Sequence, residues 1–146
     1  MKTYSAKPTD VVRKWHILDA SKAPIGRIST VAASLLTGKG KPMFSHHIDC
    51  GDFVIIINTD NLVATGNKME DKKYHRHSDY PGGLKSPSLK EVIVKDSTKV
   101  LIKSVRGMLP VNKLRAGRLA RLKVYSGAEH NHAAQMPTEY LAKEAK

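Results

Sequence analysis

Residues 15–57 read WHILDASKAPIGRISTVAASLLTGKGKPMFSHHIDCGDFVIII, and this stretch decides the fold. It begins with a short, mostly apolar run, Trp15 to Leu18, and ends with an unbroken apolar run, Phe53 to Ile57, that is rich in β-branched residues. The second run predicts a strand covered on both faces, which is typical of parallel sheets. Between them, apolar residues recur at spacings of three and four from Ile25 to Leu36 and predict a helix that Gly38 ends. Strand, helix and strand in this order predict a βαβ unit.

Weaker signals predict the elements that follow. Leu62 to Thr65 favours a short strand, and the polar segment from Lys68 to Lys85 favours a contact loop with a short strand at its centre. Ser88 resembles the start of a capping box and predicts a helix to about Lys95. A second helix, capped by Ser97 or Thr98, ends before Pro110; its expected apolar face is Val100, Leu101, Val105, Met108 and Leu109.

The last predicted elements are a third helix from about Asn112 to Arg121 and a final strand from Leu122 to Tyr125. We expect this strand to share one sheet with Trp15 to Leu18 and Phe53 to Ile57, because helices separate the three runs. The length of 146 residues suits one domain.

The excess of basic residues indicates the class of ligand that the chain binds. The chain has 25 Lys plus Arg against 13 Asp plus Glu, and the stretch from Ser97 to Ala128 carries eight basic residues and no acidic one. Clustered like charges destabilise a folded chain unless a polyanion neutralises them, so nucleic acid is the expected ligand. The single Cys50 excludes an internal disulfide framework. No apolar run approaches the ~20 residues that span a bilayer, so we expect a soluble protein with no membrane contact.

The third helix offers the sharpest site prediction. At 100° per residue, Arg115, Arg118 and Arg121 fall within one arc. The opposite side carries small or apolar residues, Ala116, Leu119 and Ala120. We therefore expect the apolar side to pack inward and three guanidiniums to face phosphates, with which arginine pairs bidentately. On this expectation, replacing the three arginines by Gln changes stability little.

Catalytic and metal sites have little support. His75 with His77, and His130 with His132, lack the spacing of zinc ligands, and one cysteine cannot build a thiolate site. We therefore expect no metal and no cofactor. Thr37 to Lys41 lacks the spacing of a phosphate loop, and no nucleophile elbow is present. The chain is not expected to be an enzyme with a small-molecule substrate.

Several blocks of sequence carry a family resemblance. They are WHILDA (15–20) with IGR (25–27), HIDCGDFVIIIN (47–58), TGNK (65–68), YHRHSDYPGG (74–83), GMLP (107–110) and RLKVYSGAEHNHAAQMP (121–137). In order and spacing they resemble the bacterial type of the large-subunit ribosomal protein thirteen family (L-thirteen). The resemblance covers about residues 1–137, with departures at Cys50, at Met136 and between Val111 and Arg121.

The resemblance implies a single three-layer α/β/α domain over residues 1–146, with a mainly parallel four-stranded sheet, basic loops and terminal extensions at 1–14 and 138–146. It implies a cytoplasmic constituent of the large ribosomal subunit that binds large-subunit rRNA, meets neighbouring ribosomal proteins and supports early assembly. The implied RNA contacts are Lys39, Lys41, His46, His47, Lys68, Tyr74, His75, Arg76, His77, Gly82, Gly83, Lys85, Arg106, Lys113, Arg115, Arg118, Arg121, His130 and His132.

Two other classes of function remain open at this point. A small α/β enzyme that binds a nucleotide would show a saturable small-ligand site and an acid/base pair with perturbed pKa values. A DNA-binding protein would prefer duplex DNA to structured RNA.

Overall fold

The computed structural model describes residues 4–140 of the chain. The strands are β1 (Trp15–Asp19), β2 (Phe53–Ile57), β3 (Arg76–His77), β4 (Leu84–Lys85), β5 (Leu122–Val124) and β6 (Thr138–Glu139). The helices are α1 (Ile25–Thr37), α2 (Lys68–Asp71), α3 (Leu89–Met108) and α4 (Arg115–Ala120). Among these residues, none of the helices combines the length and the apolar character needed to cross a membrane.

A four-stranded parallel sheet organises the fold, with the strand order β5-β2-β1-β6. The register of its central pair runs from Trp15 opposite Phe53 to Asp19 opposite Ile57. The predicted α/β class, the mainly parallel sheet and the common sheet of the three strongest strand signals are therefore confirmed. Its fourth strand, β6, comes from the segment expected as a C-terminal extension. The rest of that extension, residues 141–146, lies outside the described residues, as do residues 1–3.

Different parts of the chain cover the two faces of the sheet. Leu18, Val54, Ile56 and Leu122 belong to the core that α1 and α3 complete. Ile55 is fully buried and, because side chains alternate along a strand, points to the opposite face. There the covering layer is the segment 125–137, which contains a single 3₁₀ turn rather than a long helix and packs against Trp15 through an aromatic contact.

Helix α1 ends where the sequence predicts, and its end fixes the loop that follows. Gly38 adopts a left-handed φ of 76° and closes the helix. The amide of Asp52 then donates to the carbonyl of Leu35 at 3.0 Å, which brings the loop back onto the helix. A Cβ at Gly51 would overlap the carbonyl of Leu36, so only glycine allows this approach. The two glycines therefore hold residues 39–50 against the end of α1.

The predicted boundary between two helices shifts by one or two residues. Helical segments meet at Asp96, which has non-helical φ and ψ of −168° and 97°. The expected cap at Ser97 or Thr98 is wrong, since the Asp96 carboxylate accepts the hydrogen bond from the Thr98 amide at 3.1 Å. Ser97 is instead buried, and its hydroxyl donates to Asp60 at 2.6 Å. A polar side chain expected at a helix end therefore belongs to the core.

Three local predictions are also wrong. Leu62 to Thr65 is not a strand, because only Val63 forms an isolated bridge, to Pro24. Met108 is 44% exposed instead of lying on the buried face of α3. The third helix begins at Arg115, since the Asn112 side chain accepts from the Leu114 amide and forms a turn first.

Candidate nucleic-acid interface

The predicted contact loop contains a short hairpin. Strands β3 and β4 pair antiparallel, with Arg76 opposite Lys85, and both side chains are exposed. The turn between them places Gly82 at a φ of 73° and packs Gly83 so closely that a Cβ would overlap the Ser78 hydroxyl. The hairpin is therefore a preformed support for exposed cations.

Its two histidines are also exposed but have local partners. His75 Nδ1 lies 2.7 Å from the Ser86 hydroxyl, and His77 Nδ1 accepts from the Asp79 amide at 2.9 Å. Each ring keeps its Nε2 edge free of a hydrogen bond to residues 4–140. That edge can reach an RNA phosphate or 2′-hydroxyl.

Tyr74 anchors the hairpin to α3. Its ring packs against the core, and burial raises the pKa of its hydroxyl. Lys103 Nζ lies 4.7 Å from the ring centroid and Lys72 Nζ lies 5.8 Å from it, so both ammonium groups are near the π face. Lys95 and Lys99 line the same depression. These four lysines were not among the predicted contacts. Lys99 and Lys103, four residues apart, share a face of the helical segment after Asp96, whereas Lys95 precedes that non-helical residue.

The basic residues of the loop after α1 differ in their exposure to solvent. Lys39, His46 and His47 are exposed, and His46 packs edge-on against Phe44 with ring centroids 5.1 Å apart. Lys41 turns inward, where its ammonium donates to the Asp52 carboxylate at 2.6 Å and to the Val12 carbonyl at 2.9 Å. Lys41 therefore has an intramolecular partner that the RNA-contact prediction did not include.

The segment around the start of α4 is largely exposed. Arg106 and Lys113 are open to solvent, and Arg115 is half-buried because its guanidinium donates to the Arg106 carbonyl. This bond holds α4 against the end of α3. Lys68, at the start of α2, is exposed and donates to the Thr65 hydroxyl at 2.9 Å.

The expected outward face of three arginines is wrong. Arg118 is 2% exposed and Arg121 is 9% exposed, while Ala116 and Ala120 face solvent. The helix is therefore rotated relative to the prediction, with two of its guanidiniums inside. Their partner is Asp49, a residue distant in sequence that the pattern of the helix could not reveal.

Asp49 is the centre of an arginine cluster formed with Arg13, Arg118 and Arg121. Arg121 Nη2 donates to one of its oxygens at 2.7 Å, and Arg121 Nη1 lies 2.5 Å from the other, so the contact is bidentate. Arg118 Nε lies 3.6 Å away and Arg13 Nη1 lies 3.8 Å away. Burial by itself would raise the pKa of Asp49, but hydrogen bonding and charge from Arg121 outweigh it, so the pKa lies below its ordinary value of 3.8.

His130 and His132 are half-buried rather than free. His132 Nε2 lies 2.9 Å from the Tyr125 hydroxyl, and its ring lies over Trp15 with centroids 5.1 Å apart. His130 Nδ1 accepts from the His132 amide at 3.2 Å. Both histidines help to cover the second face of the sheet. Within residues 4–140 no three histidine, cysteine or acidic side chains gather as a metal site would require.

The exposed cations line neighbouring depressions of the surface that have residues in common. Lys39 and His46 line one groove with Met108, and Met108 also lines a second depression with Lys68 and Lys72. Lys72 in turn approaches Tyr74, beside which Lys103 lies. We call the cations along this path the basic track; its members are Lys39, Lys68, Lys72, Arg76 and Lys103. The ion pairs found in the described part of the chain involve none of them.

Comparison with known proteins gives one consistent result. The sequence profile described as ribosomal protein L13 matches residues 13–131. The large ribosomal subunit protein uL13 of Kocuria rhizophila is 52% identical over 140 residues, which cover 96% of this chain and 95% of the relative. The proteins of the same name from Micrococcus luteus and Streptomyces coelicolor are 50% and 49% identical over the same shares of both chains.

Proposed function

The chain belongs to the ribosomal protein L13 family, and from this premise we propose that it is a structural constituent of the large ribosomal subunit that binds the subunit's rRNA. It acts as a binding protein and not as an enzyme. The observation that carries this function in the structure is the basic track, since its five cations have no carboxylate partner among residues 4–140. A polyanion supplies the missing counter-charge.

The mechanism is phosphate contact from a rigid support. The track begins at the end of α1, crosses the end of α3 and reaches the hairpin of β3 and β4, so its cations sit at or beside regular elements. Phosphate contacts fix the position of a protein on its nucleic acid without reading sequence. The exposed histidines and the Tyr74 ring extend the interface with contacts that suit bases and 2′-hydroxyls. Arg106, Lys113 and Arg115 continue the basic surface beyond α3.

Salt dependence tests the mechanism. Filter binding of the full chain to a large-subunit rRNA transcript should weaken on the order of a thousandfold between about 50 and 200 mM monovalent salt, if about six phosphates are neutralised. Substituting Lys39→Gln together with Arg76→Gln should flatten the salt slope by about two units. The matched control is Lys123→Gln, because Lys123 alternates with Leu122 and Val124 and therefore faces away from the helices.

Two results would contradict this function. Affinity that stays constant across the salt range would exclude phosphate-driven binding, and equal affinity for duplex DNA of the same length would favour a DNA-binding protein. We extend the proposal to contacts with neighbouring ribosomal proteins and to a role early in subunit assembly. Cofractionation of the chain with assembly precursors as well as with mature large subunits would support that extension, and its presence in mature subunits alone would count against the early role.

A further inference from the structure

A groove of about 680 Å³ lies between α1 and the turn that follows α3. Thr30 and Ser34 of α1 form one wall, and Pro110 stands on the other. Phe44 and His46 come from the loop that the two close-packed glycines hold in place, and Arg118 of α4 lines the groove as well. The cavity has the size of a site for one small molecule or one nucleotide.

Arg118 is the unusual member of this lining. The residue is 2% exposed, and its Nε is buried without a hydrogen-bond partner among residues 4–140. The Nε atoms of Arg115 and Arg121 are also buried without a partner in the described part of the chain, but both residues donate through Nη2, Arg121 to Asp49 and Arg115 to the Arg106 carbonyl. For Arg118 the Asp49 carboxylate lies 3.6 Å from Nε, beyond hydrogen-bond distance. An arginine at such depth normally has its donors satisfied, since burial of an unpaired cation is costly. A ligand in the groove would supply the missing acceptor.

The charge of the arginine cluster points to an anion. Asp49 contributes one negative charge, and Arg121 occupies both of its oxygens at 2.5 and 2.7 Å. Arg13 and Arg118 approach the same carboxylate only at 3.8 and 3.6 Å, so two of the three guanidinium charges have no closer carboxylate within residues 4–140. Lys39 adds a further cation at the same groove. A phosphate group fits this arrangement in charge and in its capacity for several charge-assisted hydrogen bonds.

The rest of the lining suits a nucleoside. Phe44 presents an aromatic ring, already packed edge-on by His46, and Pro110 and Met108 supply apolar surface. Unpaired RNA bases stack on aromatic side chains in this way. Thr30, Ser34 and Asn112 provide hydroxyl and amide groups for the sugar or the base edge.

Resting on the rRNA binding proposed above, we propose that this groove holds one unpaired nucleotide of the bound rRNA, with its phosphate on Arg118 and Lys39 and its base against Phe44. The site deepens the general phosphate mechanism, because it combines phosphate contact with capture of a single base. The rRNA must therefore present an extruded or unpaired nucleotide where it crosses the end of α1.

Substitutions of Arg118 and Phe44 test the site when both the affinity for rRNA and its salt dependence are measured. Arg118→Met removes the charge while keeping an apolar, flexible side chain, and Arg118→Lys keeps the charge. We expect Arg118→Met to weaken binding to the large-subunit rRNA transcript about tenfold or more and to flatten the salt slope by about one unit. Arg118→Lys should retain the slope. Phe44→Ala should weaken binding about tenfold with an unchanged salt slope, since it removes stacking and no charge. Lys123→Gln again serves as the control.

Ultraviolet cross-linking provides an independent readout. With wild-type chain and rRNA transcript, the cross-linked peptide should contain Phe44 or His46, and the cross-link should disappear in Phe44→Ala. If Arg118→Met fails to fold, as thermal melting would show, Phe44→Ala and the cross-link decide the matter alone.

The outcomes separate this site from the general function. Wild-type affinity in Phe44→Ala and Arg118→Met, with cross-links elsewhere, would overturn the nucleotide site while leaving salt-dependent rRNA binding intact. Variants that bind isolated rRNA normally but enter subunits poorly would assign the groove to a neighbouring protein, which also overturns the proposal. If the wild-type chain itself does not bind rRNA, the proposed function and the site both fail.

Discussion

Replacing Asp49 by Asn should destabilise the protein strongly, although the residue lies in a loop outside the regular elements. The substitution keeps the shape of the side chain and removes the carboxylate that forms ion pairs with Arg13, Arg118 and Arg121. Removing one partner of a buried ion pair costs about 3 to 5 kcal/mol. The Asp49 side chain is 16% exposed, which favours the lower end. We expect a loss of about 3 kcal/mol, a large part of the ~5–15 kcal/mol that stabilises a typical domain.

Urea denaturation measures this loss directly. The chain has a single tryptophan, Trp15, which stacks on Phe53 at a centroid distance of 4.3 Å, so its fluorescence should report unfolding of the sheet. For a domain of this size, a loss of 3 kcal/mol corresponds to a fall in melting temperature of roughly 10 °C. Glu129→Gln is a suitable control, since Glu129 is exposed and takes part in none of the ion pairs found among residues 4–140.

The pH dependence gives the same prediction a second test. Because the pKa of Asp49 is lowered in the folded state, its contribution is fully present above the ordinary value of 3.8 and is lost as the pH falls through the folded value. The difference between wild type and Asp49→Asn should therefore be constant near neutral pH and shrink below about pH 4. Equal stability of the two proteins at pH 7, or a difference that persists unchanged into acid, would refute the electrostatic reasoning.

Three further predictions concern single contacts. Ser97→Ala should cost about 1 to 3 kcal/mol in urea denaturation, because it leaves the buried Thr59 hydroxyl without its partner and removes the hydrogen bond to Asp60. No loss would show that these bonds add nothing to stability. Gly51→Ala should lower the melting temperature by roughly 10 °C or prevent folding, because its Cβ would overlap the Leu36 carbonyl. Gly107→Ala, with open space around its Cβ, should leave the melting temperature unchanged or raise it slightly. Similar effects at both sites would contradict the close approach of Gly51 to α1. The pKa of Asp96 is lowered to about 2, first by its hydrogen bond with Lys99, so the stability that Asp96 contributes is present above pH 3.8 and is lost as the pH falls toward 2. Acid unfolding followed by circular dichroism should therefore depend less on pH in Asp96→Asn than in wild type. Identical acid unfolding curves would rule out this contribution of Asp96.

The sheet and α1 could be predicted because their signals are local and repeated. The unbroken apolar run of β2 requires burial on both faces, and the structure buries Ile55 and Ile56 on opposite faces. The apolar stripe of α1 needs a single covered side, and Gly38 ends the helix through its backbone conformation alone. β6 could not be predicted this way, since Thr138 and Glu139 carry no apolar pattern. Their pairing with β1, and the hydrogen bond from the Thr138 hydroxyl to the Trp15 carbonyl, join residues far apart in sequence.

Exposed parts of the interface were also partly predictable. The hairpin, the loop after α1 and the segment between α3 and α4 are rich in cations or histidines that have few apolar neighbours, and most of those named in advance are exposed in the structure. Lys103 and Lys72 were missed because they are separated in sequence and come together only at the Tyr74 ring. Their role depends on a contact between α3 and the segment before the hairpin, which composition does not encode.

The arginines of α4 show where local reasoning stops. A spacing of 100° per residue establishes which side chains share a face, but the choice of the inward face depends on what the rest of the fold supplies. Ala116 and Ala120 offer little apolar surface, so burying them would stabilise the helix only weakly. Asp49, 72 residues before Arg121, supplies a bidentate partner that makes burial of the guanidinium favourable. The helix therefore turns its charged face inward, and the charge that Asp49 leaves unmatched lies beside the groove where we place the rRNA nucleotide.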